Sequence, residues 1–345
     1  MYSLYQSQIR ETLQAKIYQK SHNFTQIFGQ KTFYLIKEKK IWPFTFKEFQ
    51  AIGIKMPEDF WKVRDELKNL KRKFWSQRGN IFFQLGFINE ISHFDNKHLK
   101  DKDFPEKIKE MREETLNKIA KETTLKPAFK ENMPQTTIII DLKKTDEELL
   151  NDMQNGSAEK IKKAIKKGIK IREWTAKDQE TFFQKRKIIA GEKGFSTITR
   201  KQYNNLLDAL QKNHQGTFFV AELNGEIIAG SICIFHEKTI VYLYGFSDRK
   251  YANIGGHHYL KYWLFQRAKE HWFEYCDLMG GAPTGFPSHP LAWVSRFKES
   301  LGGKKIEFYG NYDLILNPIL YYLFKLFYLL KKSDVFQKIH SRRKK

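Results

Sequence analysis

The run Lys160–Arg172 (KIKKAIKKGIKIR) holds seven basic residues and no acidic one. Cations at that density suit a nucleic-acid backbone, because they displace its condensed counterions. A solvated lysine face is the common alternative for such a segment. Ile161, Ala164 and Ile165 recur at i, i+3 and i+4, which predicts a helix with one apolar stripe, lysines on its other faces and Gly168 just past its end. His257-His258 raises the question of a metal site. Adjacent helical residues point about 100° apart and no third ligand is evident, so no metal is expected. Cys233 and Cys276 are the only cysteines, which excludes a disulfide scaffold and a Cys-rich zinc module. No Ser-His-Asp arrangement is readable. Gly280-Gly281 and Gly285 read as a turn, with a close substrate approach as the functional alternative.

The elements that carry these residues belong to a chain of 345 residues, a length that suggests two domains. Hydrophobic residues make up 41% and charged residues 29%, which is a globular composition. Lys and Arg number 61 against 39 Asp and Glu, a net charge of +22, pointing to a polyanionic partner: nucleic acid, an anionic lipid surface or a phosphorylated substrate. The N-terminus has no basic region followed by an apolar one, so no signal peptide is expected. The longest apolar run, Ile319–Leu330, is interrupted by Lys325 and is too short to span a bilayer. A cytoplasmic protein is expected, with peripheral contact at the inner face of the plasma membrane as an addition.

In the first half, strands are expected over Lys31–Ile36, Asn80–Ile88 and Thr136–Leu142, and helices over Pro57–Trp75, Phe104–Thr123 and Lys144–Met153, the last capped by Thr145. The boundary falls near Asn155-Gly156. Beyond it, helices are expected over Asp178–Ile189 and Arg200–Lys212, then alternating runs Thr217–Leu223, Glu226–Phe235 and Thr239–Phe246. Asn224-Gly225 joins the first two as a hairpin. Helix His257–Trp272, strand Glu274–Met279, helix Leu291–Ser300 and strand Lys305–Tyr309 follow. Tyr242 and Tyr244 should share one strand face, since the period is two. Asn317 and Pro318 open a C-terminal helix, followed by a basic tail that only Asp334 opposes. This helix is expected to pack on the first domain or to face an anionic membrane.

The order α-α-β-β-β-α-β-α-β, centred on LNGEIIAGSICIF, resembles the core of the GNAT acyltransferase fold. That resemblance implies a wedge between the last meander strand and the next strand, where an acyl donor sits. It also implies a phosphate-binding R/Q-x-x-G-x-G/A loop. Here Arg249 stands six residues before Gly255, so the spacing for CoA departs from the pattern. Reading outward, PQTTIIIDLKKTDEELLNDM, the helix ending KKGIKI, YLYGFSD, YWLFQRAKE, YCDLMG, RFKESLGG and NPILYYLFK resemble the Fem family of aminoacyltransferases in order and spacing. The resemblance runs from about Gly79 to Phe327.

It implies an α/β (mixed α+β) fold of two tandem GNAT-like domains, each a mostly antiparallel sheet flanked by helices. The expected bounds are 1–154 on the acceptor side, 155–316 on the donor side, and 317–345 as a helix and tail returning to the first domain. No coiled-coil arm is expected, because no long heptad insertion lies between Lys170 and Thr217. The implied activity moves an amino acid from aminoacyl-tRNA to an amine on a peptidoglycan precursor, lipid-linked or nucleotide-linked, with no cofactor. The alternatives are a GNAT N-acyltransferase with CoA as donor, and a non-catalytic RNA- or membrane-binding protein. The family's Phe-Lys pair falls on Phe297-Lys298, beside Arg296, and its meander tyrosine on Tyr242 or Tyr244. Lys298 would stabilise the oxyanion of ester aminolysis. Phe297 would stack on the terminal adenine. Asp277 would orient the acceptor amine, or serve only as a hydrogen-bonded strand-end carboxylate. Where the family opens its basic helix with R-Y-N-I, this chain has Ala158-Glu159-Lys160-Ile161, leaving Lys160 or Lys162 as the substitute cation. Where the family often has Asp-Pro, it has Gly86-Phe87.

Overall fold

Alternation and turn chemistry build the first strands, β1 (His22–Ile27), β2 (Gln30–Ile41) and β3 (Phe44–Ile54). Phe28 and Gly29, both at positive φ, make the β1–β2 hairpin turn. This computed structural model describes residues 22–41, 44–75, 79–192, 198–212 and 214–332. Strands β1 and β3 lie outside the strands expected from the sequence pattern. Helix α1 (Phe60–Trp75) buries Val63, Leu67, Leu70 and Phe74, a stripe at helical spacing. It leads into β4 (Asn80–Asp95), longer than the expected strand, and α2 (Phe104–Glu122). The short β5 (Lys126–Pro127) and β6 (Thr136–Asp141) follow. Helix α3 (Asp146–Asn151) opens with a complete capping box between Thr145 and Glu148.

Helix α4 (Ser157–Lys166) buries Ser157, Ile161 and Ala164, and Gly168 sits beyond its end at positive φ. Ile165 is half exposed rather than part of the stripe, because it lies a further 100° around the helix from Ala164. Strand β7 (Lys170–Glu173), a short edge strand with too few residues to show a period, precedes α5 (Asp178–Glu192) and α6 (Arg200–Lys212). The meander β8 (Gly216–Leu223), β9 (Glu226–His236) and β10 (Thr239–Ser247) follows, with Asn224-Gly225 at its first turn, both at positive φ. Then come α7 (Gly256–Glu270), β11 (Tyr275–Asp277), α8 (Ala292–Glu299), β12 (Lys304–Ile315) and α9 (Pro318–Lys332). The Asn317 side chain accepts from the Leu320 N–H at 3.1 Å and caps α9. Among the described residues, no helix is long and apolar enough to cross a membrane.

The chain forms two compact units, and neither is continuous in sequence. This differs from the expected linear bounds at 154 and 316. Among the described residues, the larger unit takes in 90–112 and 134–308, the smaller 22–89, 113–133 and 309–332. Strand β6 belongs with the larger unit because it pairs with β11 on one side and with Lys304–Glu307 of β12 on the other.

In the smaller unit, β1, β2 and β3 form an antiparallel meander and β4 runs parallel to β3. That pairing holds from Lys47/Asn80 through Ile54/Phe87. Gly86, paired with Ile52, has no room for a side chain: a Cβ there would lie 2.8 Å from the Ile52 Cγ2. The core is built from Tyr34, Phe49, Phe74 and Phe83, whose rings meet at centroid distances of 4.9–5.9 Å. Helix α9 packs within this unit through Tyr321 and Phe324, which meet Phe82 and Phe129. The Tyr321 hydroxyl donates to buried Asp313 at 2.9 Å, and the Gln84 amide donates to the same carboxylate at 3.0 Å. Burial pushes Asp313 up to about 6 against those two hydrogen bonds.

The larger unit repeats the theme: antiparallel β7–β8–β9–β10, then β11 parallel to β10, then antiparallel β6 and the start of β12. One core cluster includes Ile138, Ile140, Leu260, Leu264 and Tyr242; another includes Phe182, Tyr203, Leu206, Phe218 and Ile232.

Tyr321→Phe removes a donor from a buried carboxylate and is expected to destabilise the fold by about 1–3 kcal/mol. Leu323→Ala, on the exposed side of the same helix, should stay within about 0.5 kcal/mol. Urea unfolding of the two variants checks the contrast.

Candidate functional site

Strands β10 and β11 pair over three positions only: Thr239/Tyr275, Ile240/Cys276 and Val241/Asp277. Beyond Val241 and Asp277 the pairing ends, so the larger unit has the wedge that the smaller unit lacks. On its other edge, β10 shifts register against β9 between Tyr242 and Tyr244. Tyr242 pairs with Cys233 and Tyr244 with Ile232, leaving Leu243 as the extra residue of a β-bulge.

The bulge corrects the expectation that both tyrosines share a face. Their partners are adjacent residues, which point to opposite sides. Tyr242 lies in the core cluster with α7, whereas Tyr244 packs beside the cluster of α5 and α6. The Arg186 guanidinium covers the Tyr244 ring at 4.4 Å and donates to the Gly245 carbonyl at 3.0 Å. Gly245 has no room for a side chain, because a Cβ there would overlap the Tyr242 hydroxyl.

Lys298 lies on α8 with its side chain buried. Its Nζ donates to the carbonyls of Met279 at 2.6 Å and Gly280 at 2.7 Å. An ammonium has three protons to give, so one remains beyond these two. Burial pushes the Lys298 amine down to about 8, opposed by the negative charge of Asp277. Asp277 is buried at the end of β11, where its carboxylate accepts from the Thr137 hydroxyl and from the Met279 N–H, the latter at 2.7 Å. Met279 takes a positive φ of 53°. Asp277 thus holds the turn whose carbonyls hold Lys298. Downstream, Ser295 on α8 accepts from the Ala282 N–H at 2.6 Å, and the buried Glu307 accepts from Thr284 and Arg112. The turn that begins at Met279-Gly280 therefore presents two carbonyls to an ammonium.

The sequence pattern does not single out Lys261. It sits mid-way along α7, where its neighbours read as one amphipathic helix. It is fully buried, its Nζ donates to the Ser231 hydroxyl at 2.7 Å, and it lies 3.3 Å from the centroid of the Tyr242 ring. Lys298 Nζ is 5.8 Å from the same centroid. Burial pushes Lys261 down to about 7, and the nearby Lys298 charge acts in the same direction. Burial also raises Tyr242 and pushes the Cys233 thiol up to about 12. Only its lone position as a charged residue amid Leu260, Tyr262, Leu264 and Phe265, all buried, marks Lys261.

Phe297 is half-buried. His257 stacks on its ring at 4.4 Å and 10°, and His258 meets it edge-on at 5.0 Å. Burial pushes His258 down to about 4, and the charge of Lys160 adds to the shift. Lys160, on α4, is thereby near the start of α7. Lys160, Lys162 and Arg296 are all exposed. The structure therefore gathers Lys298, Tyr242 and Asp277 at the wedge, groups Phe297 with His257, His258 and Lys160, and turns Tyr244 away. Among the described residues, no group of three or more His, Cys, Asp or Glu could hold a metal ion.

Residues 157–288 match the family described as acetyltransferase (GNAT) domain. The lipid II:glycine glycyltransferase of Staphylococcus aureus is 22% identical over 258 residues, covering 55% of this chain and 61% of that protein. The match thus spans about three fifths of the curated relative's length. The crystal structure of FemX superposes with a TM-score of 0.63 at 18% identity, covering 91% of this chain and 93% of that one. The chain shares the fold of FemX, and residues 157–288 carry a GNAT-type domain. The wedge lies within the matched GNAT segment and the buried Lys298 just beyond it.

Both buried lysines hold fewer protons folded than unfolded once the pH exceeds their lowered values, so alkali favours the folded state. Unfolding free energy should rise from about pH 7 to about pH 8.5, by up to about 1.4 kcal/mol per pH unit for each lysine, before the raised Cys233 thiol begins to act in the opposite direction. Lys261→Met should flatten that slope. Urea titrations at a series of pH values measure it, and a flat wild-type profile would mean the amines keep their ordinary affinity for protons.

Proposed function

We propose that this chain is an aminoacyltransferase that moves an amino acid from aminoacyl-tRNA to an amine on the stem peptide of a peptidoglycan precursor. The observation that carries this reading is Lys298, a buried ammonium beside the point where β10 and β11 part, with a proton beyond those given to Met279 and Gly280. The name of the S. aureus relative supports the choice of acceptor and of a small aminoacyl group. The net charge of +22 and the exposed lysines of α4 support a tRNA donor.

In the reaction, the acceptor nitrogen attacks the ester carbonyl, the carbon–nitrogen bond forms and the bond to the ribose oxygen breaks. The proton lost by the amine ends on the departing hydroxyl. Negative charge develops on the carbonyl oxygen between these events. Lys298 meets that charge from a setting in which little water competes, where one such donor typically contributes a few kcal/mol. Its ammonium is already oriented by two carbonyls, so no reorganisation is needed as the charge appears. The Tyr242 ring neighbours both amines, with Lys261 Nζ at 3.3 Å and Lys298 Nζ at 5.8 Å from its centroid. Acyl-CoA is the weaker donor, because Arg249 stands six residues before Gly255 and the Lys160 carbonyl packs against that glycine at the start of α7.

The test mixes purified protein with labelled aminoacyl-tRNAs and lipid-linked or nucleotide-linked muropeptide precursor, with acetyl-CoA in a parallel reaction. Label should pass from tRNA to the precursor. Transfer from acetyl-CoA alone would make the chain an N-acyltransferase of the ordinary GNAT kind. Lys298→Ala should lower turnover about 10²–10³-fold while leaving tRNA affinity within a few-fold of wild type.

A further inference from the structure

Helix α9 is apolar nearly all round, yet only one side of it is packed. Tyr321 and Phe324 are buried, while Ile319, Tyr322, Leu323 and Leu326 are 55–75% exposed. The four exposed positions fall at i, i+3, i+4 and i+7, so they form one continuous stripe along about two turns. A helix with this composition on both faces is normally covered on both. Soluble monomers rarely leave a contiguous stripe of large apolar side chains in water. In sequence, the helix runs directly into Lys331, Lys332, Lys338, Arg342, Arg343, Lys344 and Lys345, opposed only by Asp334.

We infer that the outer face of α9 docks on an anionic lipid bilayer. The apolar stripe enters the boundary between headgroups and acyl chains, and the basic run that follows in sequence meets the surface charge. A second copy of this chain is the poorer occupant, because each copy carries +22 and pairing would bring two basic runs together. An anionic surface is attracted by the same charges. The inner face, anchored by the Tyr321–Asp313 hydrogen bond and the rings around Phe82, fixes which side chains point outward. The inference stands apart from acyl transfer, since its readout needs no turnover.

The experiment sediments the full-length protein with vesicles of phosphatidylcholine alone or with about one third phosphatidylglycerol, and with a Leu323→Glu/Leu326→Glu variant. Both substituted side chains are exposed, and circular dichroism and the melting temperature verify that the variant is folded. Wild type should bind the anionic vesicles at least about tenfold more tightly than the neutral ones, and the double variant should lose at least about tenfold on the anionic vesicles. Raising salt from about 0.1 to about 0.5 M should weaken wild-type binding several-fold. Equal binding to both vesicle types, or binding unchanged in the variant, would overturn the inference. A wild-type dimer that the variant abolishes, without vesicle binding, would overturn it in favour of self-association.

Discussion

An ammonium taken out of water needs oxygen atoms to replace its hydration. Lys298 finds two in consecutive carbonyls, those of Met279 and Gly280. Much of the larger unit serves that arrangement. The carbonyls converge because Met279 adopts a left-handed conformation, and Asp277 holds it there through the Met279 N–H. Asp277 is itself fixed by Thr137 on the neighbouring strand. Helix α8 is held from the other side by Ser295 and, through the loop before it, by the buried Glu307 with Thr284 and Arg112. Removing a partner from such a network leaves a buried charge without compensation, which is a larger loss than any one hydrogen bond.

The two units show how one topology yields a closed sheet in one case and a cleft in the other. Each has an antiparallel meander, a helix and a strand returning parallel to the meander's last. In the smaller unit that parallel pair stays closed through Ile54 and Phe87, and Gly86 lets the strands approach. In the larger unit it parts after Val241 and Asp277, where a bulge also turns β10. The residue that the Fem resemblance would make an aspartate is Gly86 in this chain. Its local role is steric, which fits a strand pair with no opening.

Most of the helices and the second meander were legible because their signals are local. The Thr145 capping box, the Asn224-Gly225 turn and the Gly168 cap each rest on residues within a few positions of one another. The relation of Tyr242 to Tyr244 was not legible. A bulge inserts one residue without any change in composition, and Leu243 looks like any other strand residue. Lys261 was hidden for a related reason. A helix with one lysine among apolar neighbours usually carries it at the surface, and only the tertiary fold puts Ser231 and the Tyr242 ring around it. The strands β1 and β3 and the short edge strand β7 lacked either a clear boundary or enough length for a period. The discontinuous division of the chain was beyond sequence because it depends on which distant strands pair.

That division bears on how the protein is made. Strand β11 lies between β10 and β6, and β6 lies between β11 and β12. On a ribosome, β6 emerges long before either of its partners. Its apolar residues Ile138, Ile139 and Ile140 wait without a sheet while the meander, α7 and α8 are synthesised, a delay on the order of ten seconds at ordinary elongation rates. A strand with both edges open for that long is a target for mispairing. Thr136–Asp141 gains its first sheet partner only when Tyr275–Asp277 is made, and its second only with Lys304–Glu307.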